Sequence, residues 1–190
     1  MTQPGKIVVF SGPSGAGKTT LVRQAMSESS LPLALSVSAT TRPARPGEVD
    51  GQDYHFLAPE DFQRRRNQGE FLESCEVFSG GDWYGTLMSE VTPSLEAGKW
   101  VVLEIDVVGA RSVRERFPDA LTIFVRPPSL DELESRLRNR DTESDEAINK
   151  RLRAARRELD GADEYRYQVV NDEIDRAASE IRDILNHSGD

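Results

Sequence analysis

The chain has 190 residues, of which 37 % are hydrophobic, 30 % charged and 7 % aromatic, the balance of a folded domain of ordinary size and not of a disordered or collagen-like chain. A formal net charge of -9 argues against duplex nucleic acid as a partner, because backbone binding needs an electropositive surface, but it leaves small anionic ligands open. A single cysteine, Cys75, with only His55 and His187 beside it, excludes an intramolecular disulfide and argues against a protein-ligated transition metal.

Met1 to Lys6 leads into a short apolar run without a signal-peptide pattern, and no apolar stretch approaches the roughly 18 to 20 residues that span a bilayer. A cytoplasmic location without a membrane partner is expected. Ile7 to Phe10 reads as a buried strand that stops at Ser11-Gly12-Pro13, and a helix is predicted from Lys18 to Met26. A second strand is predicted at Leu33 to Val37. The polar, glycine-punctuated stretch from Ser38 to Gly85 then breaks the strand-helix rhythm and reads as a separate lobe. Its predicted pieces are a loop around Thr40-Thr41-Arg42-Pro43, a strand at Tyr54 to Phe56, a helix from Pro59 and strand-like residues from Phe71 to Phe78. The rhythm returns with strands at Trp100 to Ile105 and Leu121 to Val125 and helices at Val107 to Arg116 and Leu130 to Arg138. Asn139 to Asp160 is charge-dense and helical, Tyr167 to Val170 is the last strand, and Ile174 to Leu185 is a closing amphipathic helix. Strands alternating with helices imply an α/β fold with a mostly parallel sheet flanked by helices.

Gly12-Pro13-Ser14-Gly15-Ala16-Gly17-Lys18-Thr19 matches the phosphate-binding loop G-x-x-x-x-G-K-[ST]. Its glycines let backbone N–H groups wrap a phosphate, and the following helix adds its positive end. At ordinary residue usage the pattern arises by accident roughly once per 150 chains of this size. Here it also lies between a predicted strand and a predicted helix, the context the motif requires. Lys18 is the expected contact to the β and γ phosphates of ATP and Thr19 the expected Mg²⁺ ligand, with Thr20 completing the ATP-binding stretch. Such a loop calls for an acid at the end of a neighbouring strand. Glu104 and Asp106 supply two, on one side of an extended chain, the plainer alternative being a strand end that carries helix-capping acids.

The central stretch Ser36-Val-Ser-Ala-Thr-Thr-Arg-Pro-Ala-Arg-Pro-Gly-Glu-Val-Asp-Gly-Gln-Asp-Tyr-His-Phe56 is by itself a loop with two arginines, clustered hydroxyls and a tyrosine, fit to hold a phosphate or to face solvent. With the phosphate loop, Gly-Glu-Phe-Leu-Glu73, Tyr84-Gly-Thr86, Leu103-Glu-Ile-Asp106 and Ile148-Asn-Lys-Arg-Leu152, in that order, it closely resembles the guanylate kinase family. The resemblance implies a P-loop NTPase core, with mostly parallel sheet, carrying a small GMP-binding lobe and a helical lid. One domain over 4–186 is expected, with core at 4–37, 89–138 and 161–186, lobe at 38–88 and lid at 139–160.

Carried over by resemblance, Arg42, Arg45, Tyr54 and Tyr84 hold the GMP phosphate, and Ser38, Glu73, Thr86 and Asp106 read guanine. Arg140 and Arg151 are the lid arginines that reach the ATP phosphates, and Asn171 frames the adenine. Lys18, Arg42, Arg140 and Arg151 are the expected catalytic cations. Mg²⁺ is expected on Thr19 and, through water, on Glu104. The implied reaction is transfer of the γ-phosphoryl group of MgATP to GMP. Two rivals are a kinase of the same architecture with another acceptor, opposed by the guanine-reading set, and a non-enzymatic binding module, opposed by the intact phosphate loop and lid arginines. The segment Val77 to Trp83 is about two residues longer than the family's usual turn. Cys75, His55, the Arg64-Arg65-Arg66 run, Trp83 and Trp100 read as packing or surface residues.

Overall fold

Apolar runs become strands and segments with apolar residues at helical spacing become helices in the computed structural model, which describes residues 5–77, 81–138 and 144–189. In chain order the elements are β1 (Ile7–Ser11), α1 (Lys18–Glu28), β2 (Leu33–Leu35), β3 (Ala39–Thr40), β4 (His55–Phe56), α2 (Pro59–Asn67), β5 (Phe71–Val77), β6 (Asp82–Leu87) and α3 (Met88–Glu96). They continue with β7 (Trp100–Glu104), α4 (Val107–Arg116), β8 (Leu121–Arg126), α5 (Leu130–Arg138), α6 (Asp145–Asp160), β9 (Tyr167–Val170) and α7 (Ile174–His187). A five-stranded sheet has the order β2-β7-β1-β8-β9, with β2 parallel to β7 and β8 parallel to β9. A four-stranded sheet has the order β4-β3-β6-β5 and is antiparallel across β3–β6 and β5–β6.

The chain forms two compact units, one from Pro32–Ala120 with the chain up to Val8, the other from Val9–Leu31 with the chain from Leu121 onward. In the first, the smaller sheet and α2 close on a core of Ala39, Phe62, Phe71 and Leu87, edged by Leu57 and Trp83. Phe62 and Phe71 stack with ring centroids 4.4 Å apart. Burial of a ring such as Phe62 contributes on the order of 2–3 kcal/mol. Pro59 opens α2, Glu60 and Asp61 lie in its first turn and Arg64, Arg65 and Arg66 in its last, each sign at the end of the helix dipole that favours it. Arg64 pairs with Asp61 and Arg65 with Glu70, while Arg66 lies over the Trp83 ring at 4.3 Å.

In the second unit α5 and α6 bury Leu133, Leu137, Ile148 and Ala155. Ser144 caps α6 by accepting from the Ala147 amide, and Asp145 and Glu146 follow in its first turn. The apolar stripe of α7, Ala177, Ala178, Ile181 and Leu185, packs with α1, whose buried residues are Leu21, Val22 and Ala25.

Three elements lie outside the sequence expectations. β3 is two residues long, too short for any alternation to show. β6 already includes Asp82 and Trp83, which were expected to lie in the turn before Tyr84, because they pair with Val77 and Glu76 of β5. α3 contains Pro93, which reads as a helix breaker since it lacks an N–H and crowds the preceding turn. Glu104 and Asp106 both keep extended backbone, as expected, and Asp106 is also the helix-capping acid that a strand end can carry. β7 ends at Glu104, and Asp106 is the N-cap of α4, its Oδ1 accepting from the Gly109 amide at 2.7 Å. The peptide after the strand must turn to start the helix, and an aspartate there satisfies an otherwise unpaired N–H.

Candidate active site

The phosphate loop is shaped by its backbone. Gly12, Gly15 and Gly17 all have positive φ, and Gly17 precedes the first residue of α1. At Gly12 the need is absolute, since a Cβ there would lie 2.0 Å from the Val125 carbonyl oxygen. Lys18 folds back over its own loop, its Nζ donating to the Gly12 carbonyl at 2.6 Å and the Pro13 carbonyl at 3.0 Å. Arg151, from α6, donates through Nη2 to Ser14 Oγ at 2.5 Å. Asn171, just past β9 and 4 % exposed, donates from Nδ2 to the Ala16 carbonyl at 2.7 Å. Its own carbonyl accepts from Arg136 Nη2 at 3.0 Å. Asn171 therefore ties the loop to the end of β9. Thr19 and Thr20 are exposed on the first turn of α1. Arg140 lies outside the described residues.

The first unit gathers Arg42, Tyr54 and Tyr84. The Arg42 guanidinium donates from Nε to Tyr84 Oη at 3.2 Å and lies over the Tyr54 ring at 5.3 Å, while the two tyrosine rings meet edge-on at 5.9 Å. Its two Nη atoms make a fork with the carboxylate of Glu48, both bonds 2.9 Å long. That fork is the main reason why the Glu48 carboxyl is held below its ordinary pKa, and the Arg45 amide, 2.7 Å from Oε2, adds to it. Burial pushes the Tyr54 phenol up, with the charges of Tyr84 and Glu104 acting in the same direction. Arg45 is exposed. The register of β5 with β6 places Cys75 opposite Tyr84, so the longer segment before Tyr84 does not displace it from Arg42.

Glu73 and Thr86 face each other across the same two strands. Thr86 Oγ1, fully buried, donates to Glu73 Oε1 at 2.7 Å. The other carboxylate oxygen lies against α4, where a Cβ on Gly109 would come within 2.6 Å of Oε2, so only glycine leaves that oxygen its place. Glu73 is 6 % exposed, and burial raises its pKa to about 7; the Thr86 bond opposes the rise and the nearby Asp106 charge adds to it. Asp106 accepts at Oδ1 from Gly109 and at Oδ2 from the thiol of Cys75, 3.1 Å away. Ser38 is half-buried just before β3, its carbonyl accepting the His55 amide at 2.9 Å. Glu104 is half-buried at the end of β7.

The structure thus brings together Arg42, Tyr54 and Tyr84 in one cluster and Glu73, Thr86 and Asp106 in another, with Lys18, Ser14, Arg151 and Asn171 on the phosphate loop. Three participants had no role from sequence. Glu48 lies inside the long central motif, and its place six residues from Arg42 was a usable signal. Gly109 and Cys75 meet Glu73 and Asp106 only through the packing of α4 on β5, which no local pattern shows. His55, expected to pack on the lobe surface, pairs with Glu90 of α3 at 2.9 Å.

The family model described as guanylate kinase matches residues 4–188. The guanylate kinase of Rhodopirellula baltica is 52% identical over 183 residues, 96% of this chain and 88% of that protein. That of Nitrosospira multiformis is 47% identical over 184 residues, covering 97% and 86%. Among solved structures, the guanylate kinase of Anaplasma phagocytophilum matches with a TM-score of 0.76 at 32% identity, covering 97% of this chain and 86% of that one.

Proposed function

The chain belongs to the guanylate kinase family, and from that premise we propose how its two sets of polar groups divide the transfer of the γ-phosphoryl group from ATP to GMP, with ADP and GDP as products. The observation that carries the assignment of the acceptor is the buried Glu73 carboxylate, which has Thr86 on one oxygen and Gly109 pressed against the other. Guanine presents N1–H and a 2-amino group, both donors, to such a carboxylate. Adenine presents neither there, so it would leave Glu73 buried and unpaired, a mismatch that rejects a ligand strongly. Ser38, Thr86 and Asp106 complete base recognition, and Arg42, Arg45, Tyr54 and Tyr84 hold the acceptor phosphate. The division into core, GMP-binding lobe and lid at the boundaries expected from sequence belongs to the same reading.

An oxygen of the GMP phosphate attacks the γ-phosphorus while the bond to the β–γ bridging oxygen breaks and ADP leaves. That phosphate is already largely ionised near neutral pH, so no general base is needed. The protein's work is positioning and neutralisation of charge. Lys18 and the backbone amides of Ser14 to Thr19 hold the donor phosphates, Gly12 and Pro13 shape the start of that loop, Thr20 and Asn171 border the same ligand, and Arg42, Arg140 and Arg151 add charge around the transferred group. Lys18 and Arg151 rest on oxygens of the phosphate loop in this structure, contacts that phosphate oxygens can replace. Thr19 and Glu104 offer the hard oxygen donors that suit Mg²⁺, the rest of its coordination coming in this reading from nucleotide phosphates and water. When bound, Mg²⁺ neutralises the triphosphate. A cytoplasmic place of action follows in this reading from the nucleotides it consumes; no helix among the described residues is long and apolar enough to cross a membrane.

The test is ADP release with MgATP and, in turn, GMP, AMP, UMP, CMP, dTMP and no acceptor. Turnover with GMP alone is expected. Equal turnover with AMP would remove Glu73 from base recognition, and turnover independent of acceptor would remove the phosphotransferase reading.

A further inference from the structure

Resting on the reading of Asp106 as a guanine contact, we propose that Cys75 is a positioning residue for base recognition, because its thiol donates to Asp106 Oδ2 and fixes the orientation of that carboxylate. Residues two apart on a strand share a face, so β5 turns Glu73 and Cys75 to the same side, and both are buried there. The two partners of Asp106 come from different elements. Gly109, in the first turn of α4, donates its amide to Oδ1 at 2.7 Å, and Cys75, on β5, donates its thiol to Oδ2 at 3.1 Å. With the amide alone the carboxylate can pivot about one bond; with both, its plane is set. Burial pushes the thiol pKa far above its ordinary value and the Asp106 charge adds to the shift, so Cys75 stays protonated and remains a donor. Asp106 is also the charge that acts on Glu73.

Three variants test this by steady-state kinetics in both substrates. Cys75→Ala removes the donor and is expected to raise KM for GMP roughly five- to tenfold, the worth of an ordinary hydrogen bond as suits a weak thiol donor, while kcat and KM for ATP stay within about twofold. Cys75→Ser restores a donor and is expected to return KM for GMP to within about twofold of the parent. A purely packing role predicts no such rescue. Asp106→Asn keeps the helix cap but removes the charge, and is expected to raise KM for GMP whatever stands at 75. If Cys75→Ala leaves KM for GMP unchanged, or Ser behaves as Ala, or KM for ATP rises in step, the inference is overturned. If Asp106→Asn leaves KM for GMP unchanged, the reading of Asp106 itself has failed. Should Cys75→Ala not fold, Cys75→Val fills the volume without a donor and is judged by the same criteria.

Discussion

On the proposed reading, the phosphate loop and the residues around Arg42 and Glu73, the acceptor half, solve the same problem, holding polar groups in place for an anionic ligand, by opposite means. The loop uses backbone: three glycines at positive φ aim amides and carbonyls, and the side chains of Lys18, Arg151 and Asn171 fasten onto main-chain or hydroxyl oxygens. The acceptor half uses side chains set by strand register: Thr86 meets Glu73, Tyr84 meets Arg42, Glu48 forks onto Arg42, and Cys75 meets Asp106. A loop of backbone groups suits any triphosphate, since every nucleotide offers the same phosphates. A cross-strand arrangement of buried acids and hydroxyls discriminates, because an unpaired group there costs far more than an unmade contact in water.

The contrast breaks most visibly at its two ends. Lys18→Ala is expected to lower kcat by about a thousandfold, roughly 4 kcal/mol of transition-state stabilisation, with the melting temperature unchanged, as measured by coupled assay and thermal unfolding. Retained turnover would take Lys18 out of the chemistry. Glu73→Gln is expected to shrink the preference for GMP over AMP by about a hundredfold, with kcat for GMP less affected, because the amide replaces an acceptor with a donor facing N1–H. An unchanged preference would misplace the base site.

The pH dependence sharpens the same point. The folded-state pKa of Glu73, about 7, lies above the ordinary 4.5, so the folded protein holds the extra proton. Its contribution to stability is fully present below the ordinary value and is lost as pH rises through about 7. Unfolding measured at pH 5 and pH 8 is therefore expected to show Glu73→Gln gaining on the parent at pH 8 by up to about 3 kcal/mol, with the advantage gone at the acid end. Such a cost in the unliganded protein is what the proposed recognition role of Glu73 predicts; equal curves would mean that the carboxylate is not desolvated. Smallest is Asn171→Ala. Loss of its bond to the Ala16 carbonyl is expected to raise KM for ATP roughly fivefold and leave KM for GMP alone. A rise in both would contradict the separate organisation of the two halves.

The sequence made the backbone-built half legible because its information is local. Eight consecutive residues hold the loop motif, and the helix over Leu130–Arg138 follows from apolar spacing. In the acceptor half the residues themselves were visible through the family resemblance, but their partners were not. Glu48 as the ion pair of Arg42, Cys75 as a donor to Asp106, and Gly109 as the wall against Glu73 depend on which strands pair and on what α4 packs against. Pro93 hid α3 for a local reason, since a residue without an N–H reads as a stop although it is accommodated within the observed helix. Asp106 was legible as an acid just past a strand, but its contact with Cys75 depends on the packing of α4 on β5.

The fork between Arg42 and Glu48 bears on the crowd of small anions among which a nucleotide must be chosen. A free phosphate ion reaching Arg42 exchanges one charge-assisted pairing for another and gains little, whereas a nucleotide brings a base that is held elsewhere and tips the exchange. Inorganic phosphate at millimolar concentration is accordingly expected to leave the apparent KM for GMP unmoved in the parent protein and to compete only once Glu48→Ala has emptied the fork.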